Sequence, residues 1–219
     1  MEFLIGFEGK DFVFLASDTS AARSIVMFKQ DQDKMTPLGK NTMMAMCGEA
    51  GDVAQFSEYI QKNLQLYKIR NGYELSTKGM MNFTRKQLAE ALRKNPYHVH
   101  TLMAGCDSTD GCSLYYLDYL SSSVKVPFAA HGYGAYFVLS LLDRWHKPDL
   151  TKDEAMILLK KCMAELKKRF IVTLPAMMVR IVDKNGIHTM PPLLEKDYVT
   201  MDTVQDGEPD RSIVRPLIL

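Results

Sequence analysis

The sequence predicts an α+β fold in which two antiparallel sheets pack face to face and helices cover them outside. Three observations carry this. The first two strand-like runs are apolar on both faces, the helical patterns come in pairs between groups of strands, and the last two strands meet at an Asn-Gly turn. A sheet covered on both faces explains the first, and segregated rather than alternating helices argue against a parallel α/β fold.

Phe3, Ile5 and Phe7 alternate with Leu4 and Gly6, and Phe12, Phe14 and Ala16 alternate with Val13, Leu15 and Ser17, so strands are expected there. A third apolar run, Asn41 to Cys47, leads through Gly48 to Asp52 into a helix marked by Val53, Phe56, Ile60, Leu64 and Tyr67 and stopped near Asn71-Gly72. Thr84-Arg85-Lys86-Gln87 has the form of a capping box, with Leu88, Ala91 and Leu92 as the buried stripe of a second helix ended by Asn95-Pro96. Runs at 98–105, 113–119 and 124–130 read as an antiparallel meander. Gly132 to Trp145 has helical spacing, and Thr151-Lys152-Asp153-Glu154 is a capping box for a helix carrying Met156, Leu159, Cys162, Met163 and Leu166. Met177–Val182 and Ile187–Met190 form a hairpin across Asn185-Gly186. After Met190 the composition shifts to Pro191-Pro192, an acid-rich stretch and an apolar end, which sets residues 1–190 apart as one domain and 191–219 as a C-terminal extension.

Composition narrows the function. Of 219 residues 47% are hydrophobic, enough for one sizeable core, and 27 basic against 26 acidic residues give no field to gather nucleic acid or an anionic membrane. No apolar run is long enough to span a bilayer and no signal-peptide layout opens the chain, so a soluble intracellular protein without membrane or nucleic-acid partners is expected. Cys47, Cys106, Cys112 and Cys162 match neither a C-x-x-C pair nor a disulfide framework and read as reduced, mostly buried thiols. The 15 methionines read as core filler.

Several constellations could carry chemistry. Asp18 and Lys34 can form a carboxylate-tuned amine base or a salt bridge with no catalytic role. His98 and His100 share a strand face, as a metal pair or as packed rings, with no third ligand at suitable spacing. Gly132-Tyr133-Gly134 can bear a phosphate or permit close helix packing. No G-x-S-x-G, H-E-x-x-H or Walker sequence occurs, and no cofactor or metal is expected.

Taken together, Ala16-Ser17-Asp18, Asp33-Lys34, the Gly48–Asp52 run, Tyr115–Asp118, Phe128–Gly134 and Val179–Gly186 resemble the β-subunits of the proteasome core particle, over residues 1–189. The resemblance implies a four-layer αββα sandwich, the N-terminal nucleophile hydrolase fold. In active members a threonine freed by propeptide cleavage attacks with its hydroxyl while its own α-amine helps move the proton. Carried over residue by residue, the family's aspartate falls on Asp18 and its lysine on Lys34, but the nucleophile position falls on Glu2. Tyr133 stands where active members have the serine of Gly-Ser-Gly, Phe170 follows Arg169 where they have an aspartate, and Thr173 stands where a serine is usual.

The resemblance therefore implies a non-catalytic subunit with vestigial positions Glu2, Asp18, Lys34, Tyr133 and Phe170. Its partners would be the other α- and β-subunits, in a seven-membered β-ring that encloses polypeptide substrate, in cytoplasm and nucleus, for ATP- and ubiquitin-dependent degradation. The extension would clamp a neighbouring subunit or end freely. The rival expectations are a hydrolase using Cys47 or Thr19, and a free-standing binding module.

Overall fold

The computed structural model describes residues 2–23, 26–169 and 176–198. Strands β1 (Phe3–Glu8) and β2 (Phe12–Asp18) are buried almost throughout, as their two apolar faces require. Phe3, Ile5, Phe7, Phe12, Phe14 and Ala16 point to one side, into a core shared with helices; Leu4, Val13 and Leu15 point to the other, into a core between sheets. Next come a ribbon of β3 (Ala21–Arg23) and β4 (Val26–Lys29), then β5 (Met35–Pro37) and β6 (Thr42–Gly48). Helices α1 (Ala50–Asn71) and α2 (Thr77–Leu92) precede β7 (Val99–Asp107), β8 (Gly111–Leu117), β9 (Ser123–Lys125) and β10 (Phe128–Gly132). Helices α3 (Ala135–Trp145) and α4 (Lys152–Arg169) follow, then β11 (Ala176–Asp183) and β12 (Gly186–Leu194).

Ten of these strands form two five-stranded antiparallel sheets, ordered β10-β1-β2-β11-β12 and β5-β6-β7-β8-β9. Three apolar layers separate four layers of structure. Val138, Leu142, Leu159, Cys162 and Leu166 of α3 and α4 pack on the first sheet, and Phe56, Ile60, Leu64, Met80 and Leu88 of α1 and α2 pack on the second. Between the sheets Leu15, Met43, Leu102, Leu114 and Val182 meet. Gly6 lies in this layer because a Cβ there would come within 2.8 Å of Leu15 and 3.1 Å of Leu114. The α+β sandwich is thus the one the sequence predicts.

Helix α1 stops where expected, with Gly72 left-handed (φ 78°) and its amide donating to the Lys68 carbonyl at 2.8 Å. Helix α4 opens on the expected reciprocal box, Glu154 accepting from the Thr151 amide at 2.8 Å and Thr151 accepting from the Glu154 amide at 3.3 Å.

Four expectations are corrected. Thr84 is no cap: α2 starts at Thr77 behind Ser76, whose hydroxyl accepts from Gly79, and the Thr84 hydroxyl donates back to the Met80 carbonyl at 2.9 Å inside the helix. The run 124–130 is not one strand of a meander. It splits at Val126-Pro127, β9 pairing with β8 while β10 crosses to pair with β1, because Pro127 has no amide to continue a ladder. Cys106 and Cys112 are not free thiols: the β7–β8 register sets them opposite each other, with Cα atoms 3.9 Å apart, in a disulfide. Cys47 and Cys162 are the buried free thiols. Finally, the last hairpin does not end at Met190, since β12 continues through Pro191-Pro192 to Leu194 and leaves Leu193 and Tyr198 buried against the α3–α4 core. A proline pair is tolerated there because β12 is an edge strand. Phe170, Thr173 and residues 199–219 of the extension lie outside the described residues.

Candidate functional site

Three charged side chains meet where the ends of β1 and β2 face the loop before β5. Asp18, the last residue of β2, is fully buried and uses both oxygens. Oδ1 accepts from the Phe3 amide and the Lys34 ammonium, each at 2.8 Å; Oδ2 accepts from Lys34 at 2.9 Å, from the Ser20 amide at 3.1 Å and from the Ser20 hydroxyl. The Lys34 side chain is only 1% exposed. A buried pair with every lone pair bonded is tolerable, whereas either charge alone would cost about 3–5 kcal/mol.

Glu2 completes the cluster. Its Oε1 lies 3.5 Å from the Lys34 ammonium, and its Oε2 accepts from the Gly48 amide at 2.7 Å. Backbone geometry holds it there. Gly132 adopts φ 83° and a Cβ on it would fall 1.9 Å from the Glu2 carbonyl; one on Gly134 would fall 2.3 Å from the Phe3 ring. The Gly132-Tyr133-Gly134 run therefore serves close approach of β10 and α3 to the start of β1, and Tyr133 projects 61% exposed beside it.

A cleft of about 820 Å³ opens beside Glu2, between the β10–α3 junction, the β6–α1 junction and the β3–β4 ribbon. His131 and Tyr116 stack on its floor with ring centres 4.3 Å apart. Burial, and then the neighbouring His100, push the His131 imidazole down to about 3, and its Nε2–H donates to the Thr101 carbonyl at 3.3 Å. Burial also pushes His100 down, so both rings are neutral at physiological pH. His100 packs against His131 at 4.9 Å and Tyr119 at 5.5 Å, and His98 lies 6.1 Å from the same Tyr119, a set of ring contacts.

The two alternative nucleophiles are poorly placed for attack. Burial and then the charges of Glu2 and Asp18 push the Cys47 thiol up to about 12, against the pull of Lys34. A thiol so raised is not a thiolate at neutral pH. The Thr19 hydroxyl is buried and donates to the Ala176 carbonyl at 3.4 Å.

The fold thus brings Glu2, Asp18 and Lys34 together and sets Tyr133 at their edge. Sequence reasoning missed Ser20, whose position two residues after Asp18 suits a local carboxylate cap. It also missed Gly48 as the donor to Glu2, since no pattern links positions that far apart. Gly48 is required by conformation as well, with φ 142° and a would-be Cβ only 2.1 Å from the His98 carbonyl.

The sequence profile described as Proteasome subunit matches residues 3–182, and the chain belongs to that family. Its relatives carry the β-type name. Proteasome subunit beta type-2 of Oryza sativa subsp. japonica is 49% identical over 186 residues, covering 85% of this chain and 88% of the relative. Proteasome subunit beta type-2-A of Arabidopsis thaliana is 45% identical over 206 residues, covering 94% and 97%. Proteasome subunit beta type-4 of Saccharomyces cerevisiae is 43% identical over 189 residues, covering 85% and 96%.

Proposed function

We propose that this chain is a non-catalytic β-subunit of the proteasome core particle, a structural member of the β-ring. One observation carries the reading: position 2, where an active subunit would present its nucleophilic hydroxyl, holds a carboxylate fixed by Lys34 and the Gly48 amide. A carboxylate in that setting accepts hydrogen bonds and offers no hydroxyl to an acyl carbon. At position 2 the Lys34 ammonium faces the Glu2 carboxylate at 3.5 Å, an ion pair and not a hydroxyl whose proton it could help move. Tyr133 in place of a serine adds bulk where an active site needs a small hydroxyl. Phe170, the remaining altered position, lies outside the described residues.

On this reading hydrolysis belongs to companion subunits, and this chain contributes walls and neighbours to a hetero-oligomeric ring that degrades ubiquitin-directed substrates in cytoplasm and nucleus. The test is treatment of the assembled particle with a covalent threonine-directed inhibitor, followed by intact mass of each subunit. This chain is expected to carry no adduct, while other subunits do. An adduct here, or a mature chain trimmed to start at a threonine, overturns the reading.

A further inference from the structure

The Cys106–Cys112 disulfide closes the turn between β7 and β8, at the end of the second sheet away from the Glu2–Lys34 cluster; Val99, at the other end of β7, pairs with the Gly48 that holds Glu2. Its two sulfurs stand in different settings. Cys106 is 5% exposed and belongs to the apolar layer between the sheets, whereas Cys112 is half-buried at the margin of that layer. A small thiol arriving from solvent therefore meets the Cys112 sulfur, and Cys106 is the sulfur that leaves.

The leaving sulfur already has a place to go. Cys106 Sγ lies 3.3 Å from the Val182 carbonyl oxygen of the facing sheet. A disulfide sulfur has no proton to offer that oxygen but a thiol has one, so this contact becomes a hydrogen bond only on reduction. Each redox form thus holds a bond that the other lacks: the oxidised form a link within one sheet, the reduced form a link between the two. Cys47 and Cys162 differ, for neither is paired and burial above all pushes both thiols up to about 12.

The same turn positions a helix. Asp107, next to Cys106, accepts from the Thr77 amide at the start of α2 at 3.1 Å through Oδ2, and from the Thr109 and Asp110 amides of the turn at 3.0 and 2.7 Å through Oδ1. On the other side of Cys106, Gly105 sits so close to α2 that a Cβ there would fall 2.2 Å from the Thr77 hydroxyl. What loosens the turn loosens the first turn of α2.

We propose that Cys106 and Cys112 form a reversible thiol–disulfide site that exchanges with small thiols and disulfides of the glutathione class, and that its state is passed through Asp107 to the start of α2. In reduction a thiolate attacks the Cys112 sulfur, a mixed disulfide forms, and the Cys106 sulfur leaves with the electron pair and takes a proton from solvent. A second thiolate then displaces Cys112, giving two protein thiols and one small disulfide; oxidation is the reverse, the small disulfide taking the two electrons. The inference goes beyond the proposed function and holds whether or not position 2 is inert, so its failure leaves that reading standing.

The test equilibrates the assembled particle in two glutathione buffers, one at cytosolic poise and one at the more oxidising poise of the secretory lumen, then alkylates free thiols and weighs the peptides of this chain. The pair is expected to be mostly dithiol in the first buffer and mostly disulfide in the second, where a purely structural disulfide stays closed in both. Amide hydrogen exchange over residues 77–81 is expected to run roughly tenfold faster in the first buffer, the scale of releasing a short closed loop, while exchange over β1 is unchanged. Cys112→Ser should hold residues 77–81 at the faster rate in both buffers. A disulfide closed in both, a dithiol in both, exchange over residues 77–81 that ignores the redox state, or equal acceleration of β1 overturns the proposal.

Discussion

Strands β2 and β11 run side by side for their whole length, yet their two ends are closed by different physics. At one end Asp18 lies beside Met177; at the other Asp183 lies beside Phe12. Both aspartates are saturated with donors. Asp18 pairs with a lysine that is 1% exposed, whereas Lys152, the partner of Asp183, is 51% exposed, and Asp183 also accepts from the Asn185 amide and meets His188. Against the Asp183 end the neighbouring sheet packs a disulfide of its own, Cys106–Cys112 across the β7–β8 hairpin, with the Cys106 sulfur 3.3 Å from the Val182 carbonyl. The first end is closed by a dry ion cluster that solvent cannot screen; the second by an ion pair whose lysine meets solvent, packed against the disulfide of the facing sheet.

The largest effect is expected at the dry end. Lys34→Met leaves the Asp18 carboxylate buried without its cation and should lower unfolding free energy by about 3–5 kcal/mol, read from urea denaturation, with Lys34→Met/Asp18→Asn together recovering much of it. A loss under about 1 kcal/mol would erase the contrast between the ends. The middle effect belongs to the disulfide. Cys112→Ser should cost about 2 kcal/mol, the loop-closure value for so short a link, and a thiol reductant should do the same to the parent chain and nothing further to the variant.

The smallest effect lies where buried Asp183 meets the half-exposed Lys152. Burial raises the Asp183 carboxyl, but the bonds from Lys152, Asn185 and His188 outweigh it and bring the group down to about 2 from an ordinary 3.8. Because the folded value lies below the unfolded one, this stabilisation is complete above about pH 4 and disappears as pH falls toward 2. After screening at a half-exposed lysine it amounts to about 1 kcal/mol. Asp183→Asn should lower stability by that much at pH 7 in low salt, less in 1 M salt, and not at all at pH 2, measured by urea midpoints at each condition.

How legible each end was from sequence follows from the same contrast. Strands β1 and β2 declared themselves because both faces are apolar, and the β11–β12 turn because Asn185-Gly186 permits little else. Asp18 and Lys34 stood out only through their resemblance to a known pattern; spacing alone favoured a structural salt bridge with no catalytic role. The β3–β4 ribbon gave no signal, since Val26, Met27 and Phe28 are all exposed and show no alternation. The true start of α2 was hidden because its first buried turn is made of Thr77, Met80 and Met81, residues that read as filler, while Thr84 imitated a cap. The Glu2–Gly48 bond joins positions 46 apart, which no local pattern encodes, and the disulfide depends on the β7–β8 hairpin register, which sets Cys106 opposite Cys112.

The collar formed by Gly132 and Gly134 grips main chain and ring, at the Glu2 carbonyl and Phe3, and never touches the side chain at position 2. The Phe3 amide, anchored on Asp18, fixes the same stretch from the other side. The socket is thus indifferent to its tenant: a different residue substituted for Glu2 would be delivered to the same point beside Lys34, while a free amine at that position would still require the preceding peptide bond to be cut.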